Sequence, residues 1–219
     1  MNQLGFPEFL LLMSGLKWTL LLSLMGFVGG AVGGVLVALG RSSENPWFRT
    51  VCAGFIEVFR GTPLLMQLFV VFYGLSVLGF SFSAWASAAI CLTLHASAFL
   101  GEIWRGSIQA LPAGQSEAAR ALGLHYWPRM VYVVLPQALK ISLPATVGFS
   151  VQLLKGTSLA SIVGFTELMR SGSIVSNTTF NPLVVYSIVA ALYFLFCWPL
   201  SLFGRRMEQR LSGAALRAN

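Results

Sequence analysis

Long stretches without a full charge constrain this chain more than any other feature. One such run extends from Trp18 to Gly40, and another covers residues 61–101. A helix of about 20 apolar residues crosses a membrane, so the first run predicts one crossing and the second is too long for a single helix. Only 10% of the 219 residues are charged, and the mean hydropathy is +0.77. We therefore predict an all-α, polytopic membrane protein.

Breaks in the apolar pattern divide the chain into about five membrane-spanning helices. Gly74 and Gly79 divide the long second run, and Asn181-Pro182 is a typical helix start. Between the third and fourth helices the chain turns polar, and a short helix is expected within a loop of about 111–128. Residues 1–219 are expected to form a single transmembrane domain. The predicted spans are about 14–40, 51–75, 82–107, 131–154 and 182–203.

The distribution of Lys and Arg predicts the orientation, because basic residues are enriched in cytoplasmic loops. With the N-terminus outside, only Lys17, Lys155 and Arg170 of the 14 basic residues lie on the outer side. The opposite orientation would invert this bias. We predict that the N-terminus is outside, that the C-terminus is inside, and that the polar loop is cytoplasmic.

Several function classes are excluded by the residues themselves. No phosphate-binding loop of the Gly-x-x-x-x-Gly-Lys-Ser/Thr type occurs, so the chain is not expected to hydrolyse ATP alone. The basic residues are scattered between apolar runs, so the net charge of +7 indicates topology and not nucleic-acid binding. Cys52, Cys91 and Cys197 stand singly and are interpreted as small buried hydrophobic residues. Asp is absent, and no catalytic or metal-ligating set is present.

Small residues are spaced regularly in the first apolar run. Gly26, Gly30 and Gly34 are four residues apart, and Gly29 and Gly33 lie beside them. This spacing places the glycines on one helix face, where missing side chains let another helix approach closely. We expect this face to pack against a second helix.

The polar loop carries the most specific pattern. Glu117-Ala-Ala is followed by three residues, Gly123, nine residues, an aliphatic residue, one residue and Leu135-Pro136. Ala118 and Ala119 are expected to give the loop helix a slim face that fits a groove on another protein. Glu117 and Arg120, three residues apart, can pair or reach partner charges.

This spaced pattern resembles the signature loop of permease subunits of bacterial ABC importers, and other stretches resemble the branch that takes up polar amino acids, such as histidine, glutamine, arginine and glutamate. The similarity covers about residues 10–210, although Gly156 stands where the family commonly has an acidic or amide residue. The further matching stretches are Glu57-Val-Phe-Arg60-Gly-Thr62-Pro-Leu-Leu-x-Gln67, Ser97-Ala-Phe-x-x-Glu102-x-x-Arg105-Gly106 and Lys155-Gly-Thr157-Ser158-Leu159.

The resemblance implies a permease subunit of an ATP-driven importer that moves a polar amino acid across the bacterial cytoplasmic (inner) membrane by alternating access. The implied partners are cytoplasmic ATPase subunits, a second permease (a copy or a sister chain) and an extracytoplasmic binding protein. ATP and Mg would be bound by the ATPase, so no cofactor is expected on this chain. The residues implied in ATPase coupling are Gly114, Glu117, Ala118, Ala119, Arg120 and Gly123.

Ionisable groups at membrane depth are costly and are therefore functional candidates. Glu57 with Arg60, and Glu102 with Arg105, are each three residues apart and predict an ion pair on each of two helices. His95 is expected either to bond to a neighbouring helix or to contribute to a polar substrate pocket. The residues predicted for the substrate pathway are Glu57, Thr62, Gln67, His95, Glu102, Thr157 and Ser158.

Two other functions remain open from the sequence. An ion-coupled carrier would use Glu57, His95 and Glu102 as its proton site, and it would transport without any ATPase. A membrane anchor that only holds an ATPase would tolerate changes at the polar residues within the membrane.

Overall fold

The computed structural model describes residues 5–43 and 45–216, with side-chain surroundings through Leu211. Every regular element within these ranges is a helix, which confirms the all-α prediction. The helices are numbered in chain order as follows: α1 Phe6–Arg41, α2 Pro46–Gly61, α3 Leu64–Val77, α4 Ala84–Gln109, α5 Ala113–Ala121, α6 Tyr126–Ser161, α7 Leu168–Thr179 and α8 Pro182–Leu216.

The glycine face of α1 packs along α4, as predicted. A Cβ atom on Gly30 would overlap the Cβ atom of Ala96, so the contact depends on the missing side chain. The contacts pair Gly26 with Leu92, Gly29 with Thr93, Gly30 with Ala96, Gly33 with Ser97 and Gly34 with Gly101. Because the residue numbers rise together along both helices, α1 and α4 run in the same direction.

The parallel packing of α1 and α4 determines what the elements between them must do. The chain leaves α1 on one side of the helical layer and enters α4 on the other, so α2 and α3 must carry it across. These two helices meet at an angle of 108° around Thr62 and Pro63. The second span therefore starts at Pro46, earlier than the predicted 51, and it is broken in its middle, where Pro63 lacks the amide donor of a continuous helix.

Helix α6 returns antiparallel to α4. Trp104 Nε1 donates to Thr146 Oγ1 at 3.1 Å, and one to two turns away the ring of Phe99 stacks on Phe149 at 5.2 Å between centroids. The residue numbers therefore fall along one helix as they rise along the other. Helix α6 is longer at both ends than the predicted 131–154, and it contains a π turn at Met130–Val134.

Helices α7 and α8 pack against α1 and α6 and complete the layer of packed helices. The sequence did not predict α7, which lies between α1 and α8 on the side where α1 begins. Gly172 in α7 contacts Val189 near the start of α8, and Gly204 near the other end contacts Val147 in α6. Helix α8 thus crosses back, and residues 6 and 216 lie on opposite sides. With α2 and α3 counted as one broken span, the described residues contain five candidate membrane spans, which agrees with the prediction.

Candidate functional site

Helix α5 projects from the side on which α1 and α4 end. Its Gln115 side chain accepts a hydrogen bond of 3.2 Å from Gln137 Nε2 in α6, which ties α5 to the following span. Ala119 is buried against the rest of the chain, whereas Glu117, Ala118 and Arg120 are exposed. The prediction that both alanines face another protein therefore fails for Ala119. Its methyl group packs α5 against the rest of this chain.

Gly123 ends α5 in a specific backbone conformation. Its φ of +79° lies in the left-handed region, which disfavours residues with a Cβ. The Gly123 N–H donates to Arg120 O at 2.9 Å, and the Leu124 N–H donates to Ala119 O at 3.1 Å. This pair of bonds is a Schellman cap, which satisfies carbonyls at the end of the helix. Gly123 is thus required by the turn that redirects the chain towards α6.

The break between α2 and α3 is closed by the side chain of Gln67. Pro63 has no N–H, so it cannot donate to Phe59 O as a helical residue would. Gln67 Nε2 donates to Phe59 O instead, at 2.7 Å. It also lies 3.0 Å from both the carbonyl oxygen and the hydroxyl oxygen of Thr62. The side chain of Gln67 therefore holds the two halves of the broken span together.

The same Gln67 side chain connects the break to α4. Its amide nitrogen faces three oxygens, so its Oε1 atom is the one that lies 3.1 Å from His95 Nδ1. An amide oxygen only accepts, and His95 Nδ1 must therefore donate. The His95 ring is buried and lies 4.5 Å from the ring of Phe99. The hydrogen bond between Gln67 and His95 thus joins the broken span to α4.

A cluster of charged side chains lies one to two turns further along α4. Glu102 accepts two bonds from Arg105, at 2.8 Å from Nε and 2.6 Å from Nη2, and this pair confirms the prediction. Arg60 from α2 contacts the same carboxylate over 3.5 Å and lies above the Phe99 ring at 5.7 Å. Glu102 is therefore shared between two guanidinium groups, one tightly bound and one looser.

The predicted pair between Glu57 and Arg60 is wrong. Arg60 pairs across the helix interface with Glu102, and Glu57 is exposed and forms no ion pair with a described residue. The reason is geometric: helix α2 packs on α4 through Ile56, and this places the Arg60 side chain next to α4.

An open cavity of about 370 Å³ lies against the charged cluster. Arg60, Phe99 and Glu102 form one part of its wall, and Ile141 and Ala145 of α6 form another. Nearly half of the Arg60 side chain is exposed, against 23% of the Glu102 side chain. The cavity therefore presents a cation and part of a carboxylate beside an aromatic ring.

The remaining predicted pathway residues lie elsewhere. Thr157 is fully buried, and its hydroxyl donates to Leu154 O. Ser158 lines a second cavity of about 290 Å³ together with Lys155 and Tyr193, near the opposite side of the layer. Thr62 is exposed at the break. Of the seven predicted residues, the structure places only Glu102 in the cavity beside the charged cluster.

The sequence did not predict the buried polar cluster around Glu167. Glu167 is fully buried, and its carboxylate accepts bonds from Thr19 Oγ1, the Arg170 N–H and the Tyr193 hydroxyl at 3.2, 2.9 and 2.9 Å. The Leu168 N–H in turn donates to Thr19 Oγ1. Glu167 thus joins α1, α7 and α8.

Comparisons with known proteins agree with this architecture. The family model described as "Binding-protein-dependent transport system inner membrane component" matches residues 30–213. The chain is 32% identical over 209 residues to the probable amino-acid ABC transporter permease protein YckA of Bacillus subtilis (strain 168), covering 95% of this chain and 92% of that protein. It is 33% identical over 208 residues to the glutamine transport system permease protein GlnP of Escherichia coli (strain K12), covering 94% and 95%.

A solved structure has the same fold. The crystal structure of an amino acid ABC transporter with histidines superposes with a TM-score of 0.87 and 35% identity, over 96% of this chain and 100% of that one. The fold, the spaced loop pattern and the family model agree. The chain belongs to the family of inner membrane components of binding-protein-dependent transport systems.

Proposed function

We propose that this chain is the membrane-spanning permease subunit of an ATP-driven importer for a polar amino acid. The observation that carries the proposal is α5, a helix outside the membrane layer. It is fastened to its own subunit by Ala119 and Gln115, and it exposes Glu117, Ala118 and Arg120. A rigidly seated helix with a free outer face is suited to transmit motion from a soluble ATPase into α4 and α6, the two spans it connects.

The side that carries α5 is assigned to the cytoplasm. The Lys and Arg bias supports this orientation, and ATP is available only on that side. ATPase subunits would bind there and would hold ATP and Mg. A binding protein would deliver the amino acid on the opposite side, where α7 and the start of α8 lie. The membrane is the bacterial cytoplasmic (inner) membrane, and a second permease, a copy or a sister chain, would complete the pathway.

The cavity beside Arg60 and Glu102 is proposed as part of the substrate pathway. A zwitterionic amino acid needs a donor for its carboxylate and an acceptor for its ammonium group. Arg60 supplies the first, because its long contact with Glu102 leaves most of its donors free. Glu102 supplies the second where its oxygens are not occupied by Arg105. Alternating access would open this cavity to one side at a time.

ATP-dependent uptake by the reconstituted complex tests the coupling part of the proposal. Proteoliposomes would contain the permease and its cognate ATPase, with the cognate binding protein and radiolabelled amino acids added outside. We expect Ala118→Trp to abolish uptake and to disturb stimulation of the ATPase, because a large side chain would stand on the docking face. Gln209→Trp, an exposed position towards the same side on α8, is the matched control and should transport normally.

The alternatives predict other results in the same vesicles. Uptake by the permease without ATPase, lost on adding an uncoupler, would favour an ion-coupled carrier. Absence of ATP-dependent uptake by the wild-type complex would favour a membrane anchor, and unchanged uptake and selectivity in both Arg60→Gln and Glu102→Gln would remove the cavity beside them from the substrate pathway. We expect instead that Arg60→Gln weakens uptake about tenfold or more, since charged hydrogen bonds contribute roughly 1.5–3 kcal/mol, while the amount of folded complex stays the same.

A further inference from the structure

A second large groove lies away from the charged cluster, between the ends of three spans. The last turns of α1, from Val35 to Ser42, form one wall, Trp104 and Ile108 of α4 form the floor, and the first turns of α6 form the other wall. We call it the α1–α4–α6 groove. Its volume is about 380 Å³, within the range of roughly 300–1,000 Å³ that is usual for ligand pockets. It opens at the level where α5 leaves the layer.

Away from the end formed by Tyr126 and Trp127, the wall of this groove offers no free hydrogen-bonding side chain. Its two serine hydroxyl groups are used by their own helices, since Ser42 donates to Ala38 O and Ser142 donates to Leu139 O. The indole N–H of Trp104 is likewise occupied by Thr146. A peptide segment inserted here would bring backbone N–H and C=O groups that find no partner, which is costly. An acyl chain has no such groups, so the wall favours lipid over protein.

Polar and charged groups are concentrated at one end of the groove. Tyr126 and Trp127, at the start of α6, line this end and are largely exposed. Such aromatic residues are typical of the level of lipid headgroups. The Arg129 guanidinium lies above the Tyr126 ring at 5.6 Å. The groove thus runs from an apolar interior to an aromatic and cationic mouth, the same polarity as a phospholipid.

Among the described residues, no carboxylate pairs with the cation at the mouth. Arg129 forms no ion pair with any described carboxylate, and its Nε atom is buried without a hydrogen-bond acceptor among the described residues. A buried donor of this kind requires a partner, and guanidinium groups bind phosphate through paired hydrogen bonds. Basic pockets between spans on the cytoplasmic side are a known type of site for anionic headgroups.

We propose that the α1–α4–α6 groove binds one anionic phospholipid of the adjacent leaflet. An acyl chain lies in the groove between Leu39 and Trp104, and the headgroup phosphate lies at Arg129. This site is separate from the substrate cavity and does not depend on which substrate is transported. It would hold α1 against α6 at the point where α5 joins the layer.

Lipid retention tests the site. The complex of permease and ATPase is purified, stripped of lipid, incubated with equal amounts of phosphatidylglycerol and phosphatidylcholine, and examined by native mass spectrometry. We expect one phosphatidylglycerol per permease to be retained in preference. Arg129→Gln should lower this preference about fivefold, the equivalent of about 1 kcal/mol for one basic residue at the membrane surface. Arg210→Gln, an exposed Arg near the end of α8, is the charge control and should retain the wild-type preference.

A second pair of variants tests the acyl chain. Leu39→Trp would fill the groove from its exposed rim and should reduce retention of both lipids. Leu36→Trp, equally exposed on α1 but outside the groove, should have no effect.

Three results would overturn the proposal. Equal retention in all variants would identify the lipid as ordinary annular lipid. Equal binding of the two lipids by the wild type would remove the assignment of Arg129 to an anionic headgroup. Absence of retained lipid in the complex would show that the ATPase or a second permease covers the groove.

Discussion

A single amide side chain stabilises the broken span. Gln67 supplies the donor that Pro63 lacks, and it also accepts from His95, so one residue satisfies groups on α2 and α4. An unsatisfied buried carbonyl costs more than a hydrogen bond gains. The position of Gln67 is therefore set by the break in the helix.

Replacement of Gln67 by Met tests this assignment. Met has a similar length but cannot donate, so Phe59 O and His95 Nδ1 both lose their partner. We expect a loss of about 1–3 kcal/mol in stability, measured as a lower midpoint of thermal unfolding in detergent. The exposed Gln152→Met is the control and should unfold at the wild-type temperature. If Gln67→Met were as stable as wild type but altered substrate selectivity, Gln67 would be a pocket residue instead.

Sequence reasoning at this scale succeeded only for local contacts. Glu102 and Arg105 lie on one unbroken helix, so their spacing was sufficient to predict the pair. Arg60 precedes a break, and its partner comes from another helix, so the same spacing rule failed for Glu57. Glu167 bonds to a residue 148 positions away, and no local pattern contains that information.

The close packing of α1 against α4 depends on the glycines of α1, which have no side chain along the contact. The bare face of α1 lets α4 approach so closely that a Cβ on Gly30 would overlap Ala96. The mean apolar character of α1 has no part in this specificity, because lipid is as apolar as the partner helix. Close backbone packing therefore selects this pair of helices.

Paired substitutions of glycine by alanine test this packing. Gly30→Ala should destabilise the protein by about 1–3 kcal/mol, since an added methyl overpacks a tight interface. Gly148→Ala in α6 meets no atom within 4 Å of the added Cβ, and it should be neutral or stabilising by about 0.5–1 kcal/mol because alanine favours a helix. Unfolding midpoints of the two variants give the comparison. Equal midpoints would contradict the proposed role of the glycine face.

The elements themselves were predictable to different degrees. The long apolar helices were found from length and hydropathy, and the glycine spacing correctly indicated a close helix contact. The missing amide donor of Pro63 predicts a distortion here, but the angle of 108° depends on the Gln67 bonds and on packing against α4. Helix α7 was missed because its alternation of Ser, Thr and apolar residues is too polar for a span and its burial comes from α1 and α8.

The arrangement of the whole molecule follows from the relative directions of its helices. Parallel packing of α1 and α4 requires a crossing between them, and α6 and α8 add two more, so the number of crossings is odd. Helix α6 is the crossing between α5 and the turn that joins α7 to α8, so these two lie on opposite sides. The proposed coupling from one side and the proposed delivery of substrate from the other both require this separation.

Labelling of single cysteines with a membrane-impermeant maleimide tests this topology. Leu122→Cys lies after α5 and Phe180→Cys lies between α7 and α8, and both side chains are more than 80% exposed. Cys52 and Cys197 would be replaced by alanine, while Cys91 is buried and can remain. In intact cells whose outer membrane is permeable to the reagent, we expect only Phe180→Cys to react. Leu122→Cys should react only after the inner membrane is opened. Reaction of both in intact cells would mean that α6 does not separate the two positions, and the five-span arrangement would be wrong.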